Sequence, residues 1–152
     1  MSNILVLYAS VSGNTEMIAR IIIDSFKEKN IEFDVKVFDE DPIKAKDILE
    51  YDAILMGLYT WTDGELPFEV EDFYDGVSDL DLTGKVCGVF GSGDQFYDHF
   101  CGAVDIMYEQ FEEVGATMIA HKVKVDMDPE GEEIMECQRL VEEFCELVGE
   151  IV

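Results

Sequence analysis

Short apolar runs and helix-period segments alternate five times along this chain, and that alternation constrains the fold more than any other feature. The run over 4–9 is almost continuously apolar, the pattern of a strand covered on both faces. Over 15–29, Ile18, Ile21, Ile22, Ser25 and Phe26 recur at helical spacing. Residues 35–38 alternate and read as an edge-type strand, and a short weak helix is expected over 42–49. Residues 53–58 form a second buried strand, followed by a helix over 68–74. A fourth strand covers 86–90, and a helix over 103–114 stops at Gly115. The fifth strand lies within 117–125. A last helix starts near Gly131 and carries Ile134, Cys137, Val141, Phe144, Cys145 and Val148 on one stripe. Strict alternation of this kind predicts an α/β protein, a parallel sheet with helices on both faces. At 152 residues, with no linker or repeat, one domain over 1–152 is expected.

Composition narrows the function classes. Hydrophobic residues make up 48% of the chain, enough for a core, and the net charge is −25. Such a charge repels phosphate backbones and anionic lipid, so neither nucleic acid nor a membrane surface is an expected partner. A macromolecular partner would present a basic face, and strong self-repulsion favours a monomer. The first eight residues lack a basic leader region and read as a strand instead of a signal peptide. No apolar run approaches the ~18 residues that span a bilayer. Cys87, Cys101, Cys137 and Cys145 show no metal-ligand spacing and sit in apolar or pattern-consistent slots, as expected of reduced thiols in a cytoplasmic protein.

In an open parallel sheet, ligands bind beyond the carboxyl ends of the strands, where strand order reverses. That rule selects three loops: 10–14, 59–65 and 91–98. The first, Ser10-Val11-Ser12-Gly13-Asn14-Thr15, opens into a helix and offers hydroxyls, a carboxamide and a turn glycine. With the positive end of a helix dipole, this suits a phosphate monoester. It contains no Lys or Arg, which argues against nucleoside triphosphate hydrolysis. The same residues would also serve as a helix cap with no ligand. The second loop carries the single Trp, Trp61, on a turn among polar residues, where it could stack on a planar ligand or merely pack its own loop. The third holds Gly91 and Gly93, then Asp94 and several aromatics, of which Tyr97 is the best placed second stacking partner. It is no dinucleotide fingerprint, because Phe96 occupies the third glycine position and the stretch follows strand four. A phosphate anchor and two aromatic walls at one end of a sheet imply a flat heteroaromatic with one terminal phosphate. Flavin mononucleotide (FMN) fits that description best.

On these three loops the chain resembles the flavodoxin family, over essentially its whole length. Residues 6–15, with Ala19 and Ile22 on the next helix, are similar to the family's phosphate-loop signature; Thr60-Trp61 with Asp63-Gly64 to its second loop; Gly91-Ser92-Gly93-Asp94 with Tyr97, Phe100 and Cys101 to its third. No long insertion interrupts the fifth strand, as in the short-chain type. The resemblance implies a flavodoxin-like three-layer α/β/α sandwich with a five-stranded parallel sheet of order 2-1-3-4-5. It implies that Ser10, Ser12, Gly13, Asn14 and Thr15 hold the phosphate and that Thr60 touches phosphate or ribityl. Trp61 and Tyr97 would sandwich the isoalloxazine, and Thr62, Asp63, Gly93, Asp94 and Cys101 would meet its edge, mainly through backbone. Val11, Gly64, Ser92 and Phe100 complete the expected cofactor contacts.

Two departures stand out. Thr62 occupies a position where many relatives have Gly, and a β-branched residue resists the positive φ that lets the following carbonyl turn toward the reduced ring. The one-electron-reduced form is therefore expected to be less stabilised than in a Trp-Gly relative. His99 stands where some relatives carry Tyr. The implied function is a low-potential one-electron carrier, not an enzyme, serving basic-faced redox proteins such as a flavodoxin/ferredoxin reductase and an acceptor oxidoreductase. The acidic rim of Asp63, Glu65, Glu69, Glu71 and Asp72 would steer them, or would simply be a solvated helix face. The alternative is an FMN-dependent NAD(P)H:quinone oxidoreductase of the same fold. A flavin-binding regulatory module is a further rival. A phosphoacceptor receiver domain is disfavoured, because Ala9-Ser10 and Leu58-Tyr59 stand where its acids would be.

Overall fold

Five apolar residues in succession cannot divide themselves between core and water. Strand β1 (Ile4–Tyr8) accordingly lies buried along its whole length. The computed structural model describes residues 3–10, 13–38, 40–41, 43–60, 64–93, 101–126 and 129–151. Around β1 stand α1 (Asn14–Glu28), β2 (Asp34–Val37), β3 (Ala53–Tyr59), α2 (Glu71–Val77), β4 (Val86–Gly93), α3 (Gly102–Glu113), β5 (Thr117–Met118), β6 (Val123–Asp126) and α4 (Glu132–Ile151). The strands pair in parallel in the order β2-β1-β3-β4-β5, with β6 also on β4. This is the expected order, with β2 at an edge.

Side chains alternate faces along each strand, which splits the core into two layers. Leu5, Leu7, Ile54, Met56, Leu58, Cys87 and Val89 meet Val70, Phe73 and Val77 around α2 and Val104, Met107 and Phe111 of α3. Ile4, Val6, Ala53, Leu55, Val86 and Phe90 meet Ile18, Ile22 and Phe26 of α1 and Cys137, Leu140, Val141 and Phe144 of α4. Adjacent strands pack closely enough that a Cβ on Gly57 of β3 would stand 2.3 Å from the ring of its β4 partner Phe90. All four cysteines are free; Cys87, Cys101 and Cys137 are buried and Cys145 half-buried. No group of His, Cys, Asp and Glu among the described residues could hold a metal. None of their helices is long and apolar enough to cross a membrane.

Three elements differ from the sequence reading. The expected helix over 68–74 begins as a 3-10 turn, Phe68–Val70, before α2 takes over. The weak helix expected over 42–49 is a 3-10 helix, Ala45–Glu50. The single fifth strand is two. Thr117 and Met118 pair with Val86 and Cys87, and pairing resumes at Val123 opposite Phe90, so the outer chain bulges between them. The bulge persists because other elements satisfy its backbone. Glu143 Oε1 accepts from Ala120 N–H at 3.0 Å, and Tyr108 OH donates to Ile119 O at 3.1 Å.

Candidate functional site

The parallel register brings the carboxyl ends of β1, β3 and β4 together. Tyr8 pairs with Gly57, Gly57 with Phe90 and Tyr59 with Ser92. The loop after β1 turns through Gly13 at φ +92°, a conformation that side chains with a Cβ resist. Gly13 opens α1, and the helix's own hydrogen bonding starts with Met17 N–H donating to Gly13 O at 3.0 Å. The N–H groups of Asn14 and Thr15 precede that bond and have no acceptor inside the helix. Glu16 N–H donates to Ser10 Oγ at 3.2 Å. Gly13 itself makes no side-chain cap. Of the capping that the same residues offered as the alternative, the structure shows one bond, from Glu16 N–H to Ser10.

The hydroxyls are held in a way that suits an anion. Ser10 Oγ accepts from Glu16 N–H, and Thr60 Oγ1 accepts from Ala103 N–H at 3.3 Å at the start of α3. With a lone pair of each already engaged, the hydroxyl protons are left to donate. Thr15 Oγ1 and Ser92 Oγ are 2.7 Å apart and buried, which ties the first turn of α1 to the end of β4. Ser92 also anchors the second loop, because its carbonyl accepts from Thr60 N–H at 3.0 Å. Every donor here is neutral, and the three loops contain no Lys or Arg. Among described cations, Lys122 and Lys124 pair with Asp105, and Arg20 lies 3.4 Å from Glu16. Neutral hydroxyls, a carboxamide and helix-terminal N–H groups form a donor set that fits a phosphate monoester at a helix N-terminus.

Loops two and three meet through glycines. A Cβ on Gly102 would lie 2.7 Å from Gly64 Cα, and one on Gly93 would lie 3.1 Å from Cys101 N, so the two ends of the third loop almost touch. Cys101 has φ +53° and points its thiol into the core, toward the carbonyls of Gly91 and Val125 at 3.9 and 3.8 Å. Burial, with Lys124 opposing it, pushes this thiol up to about 12. Any contact Cys101 makes with a ligand comes through its backbone. Ser10, Gly13, Asn14, Thr15, Thr60, Gly64, Ser92, Gly93 and Cys101 thus cluster at one end of the sheet. Val11, Ser12, Trp61, Thr62, Asp63, Asp94, Tyr97 and Phe100, with His99, lie outside the described residues.

Sequence reasoning named Thr15 and Ser92 separately and missed the bond between them, since nothing local links positions 77 apart. It also missed Gly102, whose only sequence signal is a glycine at a helix start. A cleft of about 420 Å³ lies at the opposite, amino end of the strands, lined by Asn3, Ile4 and Tyr51, where Tyr51 OH donates to Asp34 at 2.7 Å. It lacks the convergent loop donors of the carboxyl end and is not the site that sheet topology selects.

A family model described as flavodoxin matches residues 6–140. The protein described as "Probable flavodoxin 2" of Bacillus subtilis (strain 168) is 40% identical over 150 residues, covering 98% of this chain and 98% of its own. The crystal structure of oxidised flavodoxin 1 from Bacillus cereus superposes with a TM-score of 0.90 at 39% identity, covering 95% of this chain and 98% of that one. The flavodoxin of Fusobacterium nucleatum bound to flavin mononucleotide shares 20% identity at a TM-score of 0.77, over 100% of both chains, a likeness of fold alone. With the sheet order, the three-loop site and a family match running from β1 into α4, this chain belongs to the flavodoxin family.

Proposed function

We propose that this single-domain protein is a one-electron carrier that holds FMN without a covalent bond and passes electrons between redox proteins, with no chemistry on a substrate of its own. FMN supplies redox chemistry in one-electron steps. The protein's part is to bind, orient and shield it. Ser10, Ser12, Thr15 and Thr60 donate hydroxyl protons to the phosphate, beside Asn14 and the N–H groups of the α1 terminus. Val11, Gly13 and Gly64 shape the backbone around it. Trp61 and Tyr97 cover the ring faces and exclude water. Thr62, Asp63, Gly93, Asp94, Phe100 and Cys101 border its edge, and Ser92 holds Thr15 and Thr60 in place. Engagement of Ser10 and Thr60 by backbone N–H groups is the observation that carries this reading, because it fixes both oxygens as acceptors within the fold and leaves their protons available to an anion.

The acidic surroundings disfavour extra negative charge in the cleft, which favours a low potential. They also favour basic-faced partners: a flavodoxin/ferredoxin reductase as donor and an oxidoreductase as acceptor. A monomer in the cytoplasm is the setting these features suit. The quinone oxidoreductase reading is not favoured. It needs cations for an anionic dinucleotide, and described Lys122 and Lys124 are already paired with Asp105. The test is reconstitution. The FMN-loaded protein should relay electrons from a reductase to an acceptor, and NADPH alone should leave its flavin oxidised. Direct bleaching by NADPH would favour the enzyme, and a loaded protein that relays nothing would defeat the carrier.

A further inference from the structure

We infer that Phe68 is the short-range docking anchor of this carrier, inserting into an apolar recess on a redox protein whose rim is cationic. The inference rests on the electron-carrier reading and adds to it a residue and a partner chemistry. Phe68 is 83% exposed, the most exposed large apolar side chain among the described residues. Its neighbours behave oppositely: Val70 is fully buried, and Leu66 packs against the core.

The exposure is fixed by the local fold. Pro67 is buried with φ −56°, Val70 N–H donates to Pro67 O at 3.0 Å, and Tyr59 OH donates to Glu69 Oε1 at 2.6 Å. These bonds clamp the 3-10 turn to the end of β3. Phe68 therefore projects from a rigid support at the same end of the sheet as the cofactor loops. An aromatic side chain held in this way loses little conformational freedom on docking, which is the quality of a binding hot spot.

Charge selects the occupant. Glu71, Asp72 and Asp75 follow Phe68 at three, four and seven positions, are all exposed, and share its face; Glu65 is exposed just before it. No Lys or Arg occurs between Lys46 and Lys85. Lys85 Nζ donates to the carbonyls of Leu49 and Tyr51, at the amino ends of the strands. A second copy of this chain would set carboxylates against carboxylates, and anionic lipid would be repelled likewise. An apolar recess ringed by Lys and Arg satisfies both the ring and the acids around it.

The experiment follows electron transfer from an NADPH-reduced ferredoxin–NADP reductase to the FMN-loaded protein by stopped flow, across a range of ionic strength. Phe68→Ala is expected to raise the apparent Kd about tenfold at every salt concentration without changing its salt slope. Phe68→Leu, which keeps apolar area, is expected to recover most of the loss. Glu71→Gln with Asp72→Asn is expected to flatten the slope. A folded, flavin-loaded Phe68→Ala protein that matches the parent at all salts overturns the anchor, and so does self-association that disappears with Phe68. A chain that takes up no FMN defeats the carrier reading itself and, with it, the anchor; one that takes up FMN but ignores Phe68 defeats the anchor alone.

Discussion

Ser92 and Thr15 carry the most specific residue-scale consequence. Their hydroxyls are 2.7 Å apart and sealed from water, with Thr15 1% and Ser92 3% exposed. Removing one partner leaves the other unsatisfied in a dry setting, which costs about 1–3 kcal/mol. Ser92→Ala is therefore expected to lower stability by that amount in urea and to weaken FMN binding severalfold, as α1 loosens from β4. Unchanged binding would remove Ser92 from the anchor. Gly13→Ala meets no atom within 4 Å, so its penalty is the φ of +92° alone, about 1–2 kcal/mol. The residue types of the anchor were legible in the sequence, because hydroxyls, a carboxamide and a turn glycine at a helix start suit an anion, although they suit a plain helix cap as well. Their wiring was not. The hydrogen bonds that orient Ser10 and Thr60 come from Glu16 and Ala103, and the Ala103 bond spans 43 positions.

At the scale of elements, buried strands were easy to read because doubly covered β1, β3 and the first part of β4 are runs of apolar residues broken only by glycine. The split of the outer strand was not, since Ile119-Ala120-His121-Lys122 keeps a strand-like composition while the Ile119 carbonyl and the Ala120 N–H turn from the sheet to Tyr108 of α3 and Glu143 of α4. The start of α2 was misjudged for a related reason: Glu69 is held by Tyr59, so tertiary contact sets the 3-10 turn. The cysteines report element burial directly. Burial pushes Cys87 and Cys137 up to about 12, as it does Cys101, from an ordinary 9.0. The folded state thus binds protons that the unfolded chain releases. Stability from these thiols is complete below pH 9 and is lost as pH rises toward 12. At pH 8 a thiol reagent should modify half-buried Cys145 first and reach the other three only on unfolding. Simultaneous reaction of all four would contradict the packing of β4, α3 and α4.

At the scale of the whole molecule, charge dominates. A net charge of −25 on 152 residues opposes compaction, so added salt should stabilise the fold. The melting temperature at pH 7 is expected to rise several degrees between low and moderate salt, each kcal/mol being worth about 2–4 °C at this size. A flat profile would show that the carboxylates are too dispersed to matter. Asp105 works in the other direction. Burial alone would raise its carboxyl, but the hydrogen bonds from Lys124 and Lys122 outweigh burial and hold it below 3.8. Its contribution is therefore present above that value and lost as pH falls through the lower, folded one. The claim on which the rest depends is that a loop without cations binds a phosphate dianion, and titrating FMN and riboflavin separately into the flavin-free protein, followed by quenching of flavin fluorescence, tests it most directly. FMN should bind at least about 100-fold more tightly than riboflavin, the equivalent of about 2.7 kcal/mol from the phosphate contacts. Equal affinity for the two flavins, or no quenching by either, would contradict it.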